Sequence, residues 1–319
     1  MFFILSEKLG SLDTLKLLNE KTGEYVTIIP GLGATLNELV LKKNNELHSL
    51  IDGSPTYEDL LTEGKLKFKG PKLFPFPNRI RDGRYSFEDK EFRLRKNLIS
   101  EKHAIHGLHL ESKFEARQEL KESDKASIRL EIIAGAEEKE GFPFSHQIII
   151  DYILSSQDGL ICTTTVVNRS SGNMPMGDGW HPYFKLDARI NSLLLKLPPC
   201  SKLEADQTMI PTGNFFKEER FKEFQQIGTA KFDDCFRIDS DDPISEIHLK
   251  SEEKNVKLII WQQSEKNRYN FFQIYTPPHR QSIAIEPMSC APDAFNNKIG
   301  LIILKPGEEI SFSYGIKLA

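Results

Sequence analysis

Five segments of this chain set ionisable or polar side chains inside aromatic or proline-rich frames. Phe74–Gly83 reads FPFPNRIRDG, and Pro75 and Pro77 restrict the backbone ahead of Asn78 and Arg79. His103–His109 reads HAIHGLH, and Gly177–Leu186 reads GDGWHPYFKL, with His181 held between Trp180 and Pro182. Phe232–Phe236 reads FDDCF and carries Asp233 and Asp234 side by side. Ile283–Asn296 reads IAIEPMSCAPDAFN, where Glu286 closes an apolar run just before Pro287.

Groups of these types move protons and bind hydroxyls. An imidazole among aromatic rings can titrate near neutrality and serve as a proton donor. A carboxylate at the end of a buried strand is costly unless paired or functional, and burial makes it a better base. Arg79 offers five donors in a fixed fork, and Asn78 both donates and accepts. Neighbouring Asp233 and Asp234 would face opposite sides of a strand. The set contains no nucleophile elbow, no glycine-rich phosphate loop and no HExxH signature. The spacing of His103, His106 and His109 raises a metal site. However, Gly107 follows His106 and the segment lies between predicted strands, so one hydrogen-bonding His is expected and no metal. Proton transfer on a polyhydroxylated neutral ligand fits the set. Each segment alone also fits a plain structural role: an ion-paired Arg, a core His, a salt-bridged strand-end Glu or a solvated acidic turn.

The elements that must carry these residues are short and β-rich. Examples are Tyr25–Ile29, Ile128–Ile133, Gln147–Leu154, Leu160–Val167, Val256–Trp261, Phe271–Tyr275 and Ser282–Ile285. In Leu160–Val167 the alternation puts Thr163 and Thr165 on one face and Cys162 and Thr164 on the other. Asp82-Gly83 and Asp158-Gly159 read as hairpin or turn signals. Lys65, Lys67, Lys69 and Lys72 largely alternate with Leu66, Phe68 and Gly70, the pattern of a strand with one solvated face. Pro55–Leu61 and Phe215–Phe224 are each expected to form a helical turn or two. Many short strands with turns between them predict an all-β sandwich or barrel with few helices. No repeat or linker divides the chain, so residues 1–319 are expected to form one domain.

Composition narrows the function further. The chain has 319 residues, 39% of them hydrophobic, and a formal net charge of −4, which gives no basic excess to attract nucleic acid or an anionic membrane. A chain of this length can bury roughly 75% of its unfolded surface without disulfide or metal. Cys162, Cys200, Cys235 and Cys290 form no CxxC pair and are expected to be reduced, buried or half-buried thiols. The apolar run Phe2–Leu5 is too short for a secretory signal, and a cytoplasmic location is expected.

The motifs PNRIRDG, HAIHGL, GWHPYF, FDDCF and IEPMSCAPDAFN, in that order from about Phe74 to Asn296, resemble the aldose 1-epimerase (galactose mutarotase-like) family. The resemblance implies a large antiparallel β-sandwich with a sugar in an open cleft on one sheet, and no cofactor. Carried over by motif, it implies Glu286 as general base and His181 as general acid. It implies Arg79, His106, Asp233 and the adjacent Asn78 as sugar-binding residues. Trp180 or Phe184 is expected to stack on the apolar face of the ring. Met288 stands where the family often carries Gln, which bears on substrate preference. Two alternatives stay open. One is a hexose-6-phosphate epimerase using Arg81, Arg84, Arg93 and Arg95. The other is a non-catalytic sugar-binding protein on the same fold.

Overall fold

The computed structural model describes residues 1–97, 102–137, 139–186 and 189–319. Strand Gly159–Asn168 shows how alternation becomes a sheet. Cys162 and Thr164 are fully buried, while half-buried Thr163 and Thr165 bond Ser313 and Ser311 on the next strand at 2.8 Å. Its hairpin with His146–Ser155 closes at Asp158-Gly159, where Ser155 pairs with Gly159. This strand lies within a nine-stranded antiparallel sheet that runs from Glu115–Lys121 at one edge to Gln225–Gln226 at the other.

An eight-stranded sheet carries the chemistry. Its order is Pro211–Lys217, Cys200–Ala205, Asp233–Ile238, Phe271–Tyr275, Ile283–Met288, Gly179–Trp180 and Lys72–Leu73, with Tyr183–Phe184 also paired to Ile283–Met288. One face packs into the sandwich. Phe236 and Phe272 stack at 5.1 Å, and Ile274, Ile283 and Ile285 are fully buried beside them. Trp180 reaches across to the nine-stranded sheet, edge-on to Tyr152 and tilted on Tyr314. Its indole Nε1–H donates to Thr164 Oγ1 at 3.2 Å. One continuous apolar cluster joins both sheets to the five-stranded N-terminal sheet over Phe2–Ser49. Each Leu, Ile or Phe buried in it contributes about 1.5–3 kcal/mol.

Several local expectations are corrected. Residues 65–69 do not form a strand: a π-helical turn, Leu60–Gly64, leads into a helical turn, and Phe68 sits in the left-handed region at φ 52°. The N-terminal expectation of a helical turn is met by Tyr57–Asp59, capped by the Thr56 side chain on the Asp59 N–H. Phe215–Phe224 is not helical, because Pro211–Lys217 extends as an edge strand. Asp82-Gly83 does not close a hairpin. Arg79–Ile80 pairs with Ala104–Ile105 instead, and Arg84–Phe87 pairs with Lys90–Arg93. Among the described residues no helix is long and apolar enough to cross a membrane. All four cysteines are buried thiols.

Candidate active site

The other face of the eight-stranded sheet is selected by strand parity. Asp233 pairs with Tyr275, Gln273 pairs with Glu286, and Cys235 pairs with Gln273. These residues therefore share one face, opposite Phe236, Ile274 and Ile285. Asp234 belongs to the core-side parity and is bound at 3.3 Å by Lys202. Of the two adjacent carboxylates, Asp233 shares the face of Glu286. Parity also decides the GWH segment. Trp180 points into the sandwich, so His181 points the other way.

His181 Nε2 lies 3.3 Å from Glu286 Oε1, and both side chains are buried. Tyr183 stacks on the His181 ring at 5.0 Å and 19°, and Phe68 lies 4.7 Å from the His106 ring and 6.4 Å from that of His181. Trp180 and Phe184 are both fully buried in the core, so neither can stack on a ligand. Phe68 and Tyr183 are the aromatic rings beside the imidazoles, and Phe68 owes its place to the unexpected turn.

The Asn78 and His106 segments clasp each other. His106 N–H donates to Asn78 O at 2.8 Å, and Asn78 N–H donates to His106 Nδ1 at 3.3 Å. Both residues are left-handed, at φ 56° and 59°, a conformation that persists when the surroundings over-determine it. Gly107 follows at φ 80°, where a Cβ would meet Phe74 O at 2.2 Å, so only glycine fits. Asn78 Oδ1 accepts from Arg79 N–H at 2.9 Å and from Arg79 Nη1 at 3.2 Å. The carboxamide oxygen thus aims the guanidinium.

The clasp also fixes the His106 tautomer. A backbone N–H aimed at Nδ1 requires a lone pair there, so neutral His106 carries its proton on Nε2 and presents a donor. Donor atoms of His106, His181 and Glu286 lie within 4.8 Å of one another, close enough to consider a cation. A metal at His106 Nε2 would need the opposite tautomer and would break the Asn78 bond, whereas metal-bound histidines donate from the second nitrogen. The arrangement suits a hydroxyl acceptor better than a metal. The other histidines of HAIHGLH go elsewhere. His103 Nδ1 accepts from Asp82 N–H, and His109 meets His146 at 2.8 Å in the core.

Burial dominates the electrostatics. It pushes the Glu286 carboxyl well above its ordinary range; the Asp233 charge adds to this and Arg79 opposes it. Burial holds His181 down to about 3. It also lowers His106 well below the usual imidazole range, helped by His181 and Arg79. The Glu286–His181 pair therefore holds one proton between its two members over a wide pH range. Whether it is written as acid with imidazole or as carboxylate with imidazolium, the proton count is the same.

A cleft of about 770 Å³ opens over this face, lined by Asn78, Arg79, Asp233, Gln273 and Tyr275 among others. Gln273 Nε2 donates to Asp233 Oδ1 at 2.9 Å. Glu286 Oε2, Gln273 Oε1 and His181 Nδ1 are buried with no hydrogen-bond partner among the described residues. Buried polar atoms without partners are uncommon, and three on adjoining residues mark a place where a polar ligand would complete the bonding. Gln273 and Tyr275 were not singled out from the sequence. Their signal is the alternation in FFQIY, which puts a Gln and a Tyr on one face of an otherwise apolar strand.

A model of the aldose 1-epimerase family matches residues 16–317. The protein named Uncharacterized protein YihR, of Escherichia coli (strain K12), is 28% identical over 292 residues, covering 90% of this chain and 88% of that one. A galactose mutarotase-like protein from Clostridium acetobutylicum has the same fold with a TM-score of 0.86 at 24% identity, covering 100% of this chain and 98% of that chain. The galactose 1-epimerase of Lactobacillus acidophilus NCFM gives 0.80 at 18% identity, with the same two coverages of 100% and 98%. The structural likenesses establish the fold, and the family match spans nearly all of the sequence: this chain belongs to the aldose 1-epimerase family.

Proposed function

We propose that the chain interconverts the α and β anomers of a neutral aldose, with Glu286 as general base and His181 as general acid. The observation that carries this reading is the buried carboxyl–imidazole contact of 3.3 Å beside a cleft lined by Arg79 and Asp233. Glu286 takes the proton of the C1 hydroxyl. The C1–ring-oxygen bond breaks, its electron pair goes to the ring oxygen, and His181 delivers a proton there. The open aldehyde rotates about C1–C2, and reclosure returns both protons. The shared proton of the pair supports this cycle, because carboxylate and imidazolium are reached by internal transfer without exchange with solvent. Each positioned group contributes roughly 10²–10⁴-fold.

Arg79, the Nε2–H of His106, Asp233 and the amide of Asn78 bind ring hydroxyls in this reading, and Gln273 orients Asp233. Phe68 and Tyr183 supply apolar walls. A neutral substrate is favoured by where the cations lie. Arg81 pairs with Asp206 at 3.5 Å and reaches Asp293 at 3.8 Å. Arg84 and Arg93 line a separate hollow with Asp82, and Arg95 lines another together with Phe68. Those four arginines do not converge as a phosphate cradle would.

Polarimetry of freshly dissolved α-D-glucose, α-D-galactose and α-D-xylose, beside a coupled assay with glucose 6-phosphate, tests the reading. Faster decay of rotation with one or more neutral sugars is expected. Turnover of the phosphosugar alone would replace the neutral substrate, and sugar binding without acceleration would replace the enzyme with a binding protein.

A further inference from the structure

Behind the acid–base pair, on the core side of the same sheet, lies an ion pair that the chemistry above does not use. Lys72 Nζ donates to Asp178 Oδ1 at 2.6 Å, and both side chains are 0% exposed. The same ammonium donates to Gly179 O at 2.7 Å and lies 4.7 Å over the Trp180 ring. Tyr269 O–H donates to Asp178 Oδ1 at 2.7 Å. Asp178 N–H donates to Ser289 Oγ, and Ser289 N–H to Asp178 O, each at 2.8 Å.

Stability does not account for this network. Taking two charges out of water costs more than their attraction commonly returns, and apolar side chains of similar volume often serve a core as well or better. The Asp178 Oδ2 atom is buried with no partner among the described residues, which adds to the cost. Burial pulls Lys72 down and Asp178 up, each opposed by its partner.

Position accounts for it better. The strand that delivers His181 is only Gly179–Trp180, and its neighbour Lys72–Leu73 is as short. Its ladder consists of Gly179 with Leu73, Trp180 with Lys72, and Gly179 with Met288. A ladder this short specifies register weakly by itself. The flanking backbone ties are Gly177 N–H to Pro75 O at 2.6 Å, Gly70 N–H to His181 O at 2.9 Å and the pairing of Tyr183–Phe184 with Ile283–Met288. A slip of one residue would exchange the faces of Trp180 and His181. Lys72 ties three successive residues of the slipping segment, namely the carboxylate of Asp178, the carbonyl of Gly179 and the ring of Trp180. The two Ser289 bonds tie the same segment to the strand end that follows Glu286.

We propose that Lys72 and Asp178 are positioning residues, which lock the register of Gly179–Trp180 and so set the separation of His181 from Glu286. The inference rests on the acid–base reading of that pair. Lys72→Met/Asp178→Asn keeps the packing on Trp180 and an acceptor for Tyr269 while removing both charges. With wild type measured alongside, the double variant should retain its melting temperature within a few degrees and its KM within about threefold, yet lose tenfold or more in kcat. Lys72→Arg, which can still reach Asp178, should recover part of that loss. A folded double variant with wild-type kcat overturns the positioning role and leaves the epimerase reading intact. A wild type that accelerates no aldose overturns both. If the double variant does not fold, Ser289→Ala, which removes one tie, is read in its place: a fall in kcat at constant KM supports the proposal, and an unchanged kcat overturns it.

Discussion

The Nε2 atom of His181 stands 3.3 Å from Oε1 of Glu286, with both groups buried and their proton affinities driven in opposite directions by the same desolvation. For pH dependence, this means that neither group titrates at its ordinary value. The active form of the pair carries one proton. Acid adds a second only as the pH approaches the depressed His181 value of about 3, and alkali removes the first only above the ordinary carboxylate range. The kcat/KM profile of mutarotation should therefore show no acid limb centred near pH 6.5. An acid limb centred near 6.5 would show an ordinary imidazole and contradict the pairing.

Arg79, Asp233 and Asp234 all line the cleft, but Asp234 is already tied to Lys202 and has the strand parity opposite to Glu286. Hydrogen bonds to charged groups are worth about 1.5–3 kcal/mol. Arg79→Ala and Asp233→Asn should each raise KM by roughly tenfold or more, and Asp234→Asn should leave it within about twofold. Steady-state kinetics on the three variants decides this; equal effects at positions 233 and 234 would contradict the strand parity.

Aromatic substitutions separate core from cleft. Trp180→Phe removes the bond to Thr164 and some packing between the sheets, which should cost about 1–3 kcal/mol of stability with KM unchanged. Phe68→Ala should raise KM with little change in melting temperature. Denaturant unfolding and kinetics on the same two proteins test this, and the reverse pattern would restore Trp180 as a sugar platform.

His109 is buried against His146 among Phe74, Phe142 and Phe114, and burial, then the neighbouring imidazole, lowers its pKa well below 6.5. The unfolded chain takes up this proton near 6.5 and the folded chain only at far lower pH. Between those values the unfolded state binds more protons, so stability falls as pH falls, by up to about 1.4 kcal/mol per pH unit for one group. Urea unfolding of wild type and His109→Gln between pH 7.5 and 5 should show the shallower slope in the variant. Parallel slopes would show that His109 is not the group responsible.

Much of the fold was legible because burial and pleat share a period. The alternation in Leu160–Val167 survives residue for residue, with Cys162 and Thr164 inside. Asp158-Gly159 turns where its composition says it should, but Asp82-Gly83 does not, because Arg79–Ile80 finds its partner at Ala104–Ile105 through space. Local composition cannot report such a partner.

The same distinction runs through the candidate site. His181 and Glu286 announce themselves by unusual frames, and the structure groups them with His106 beside a cleft lined by Arg79 and Asp233. The sequence did not reveal that Trp180 faces inward, because which of two adjacent residues meets the core depends on the sheet beyond. Gln273 is placed by its register with Glu286, and Phe68 by a turn anchored where Gly70 N–H donates to His181 O at 2.9 Å. Both depend on contacts between distant segments.

General base catalysis by Glu286 is tested most directly by following the optical rotation of α-D-galactose and α-D-glucose with wild type and Glu286→Gln side by side, with sugar binding to both measured by calorimetry. The amide keeps the shape of the carboxyl but cannot take the C1 hydroxyl proton. Wild type should accelerate the decay of at least one sugar, while Glu286→Gln should bind that sugar within about threefold of wild type and lose at least 10² in rate. A Glu286→Gln protein that mutarotates at near the wild-type rate would contradict the assignment of the base.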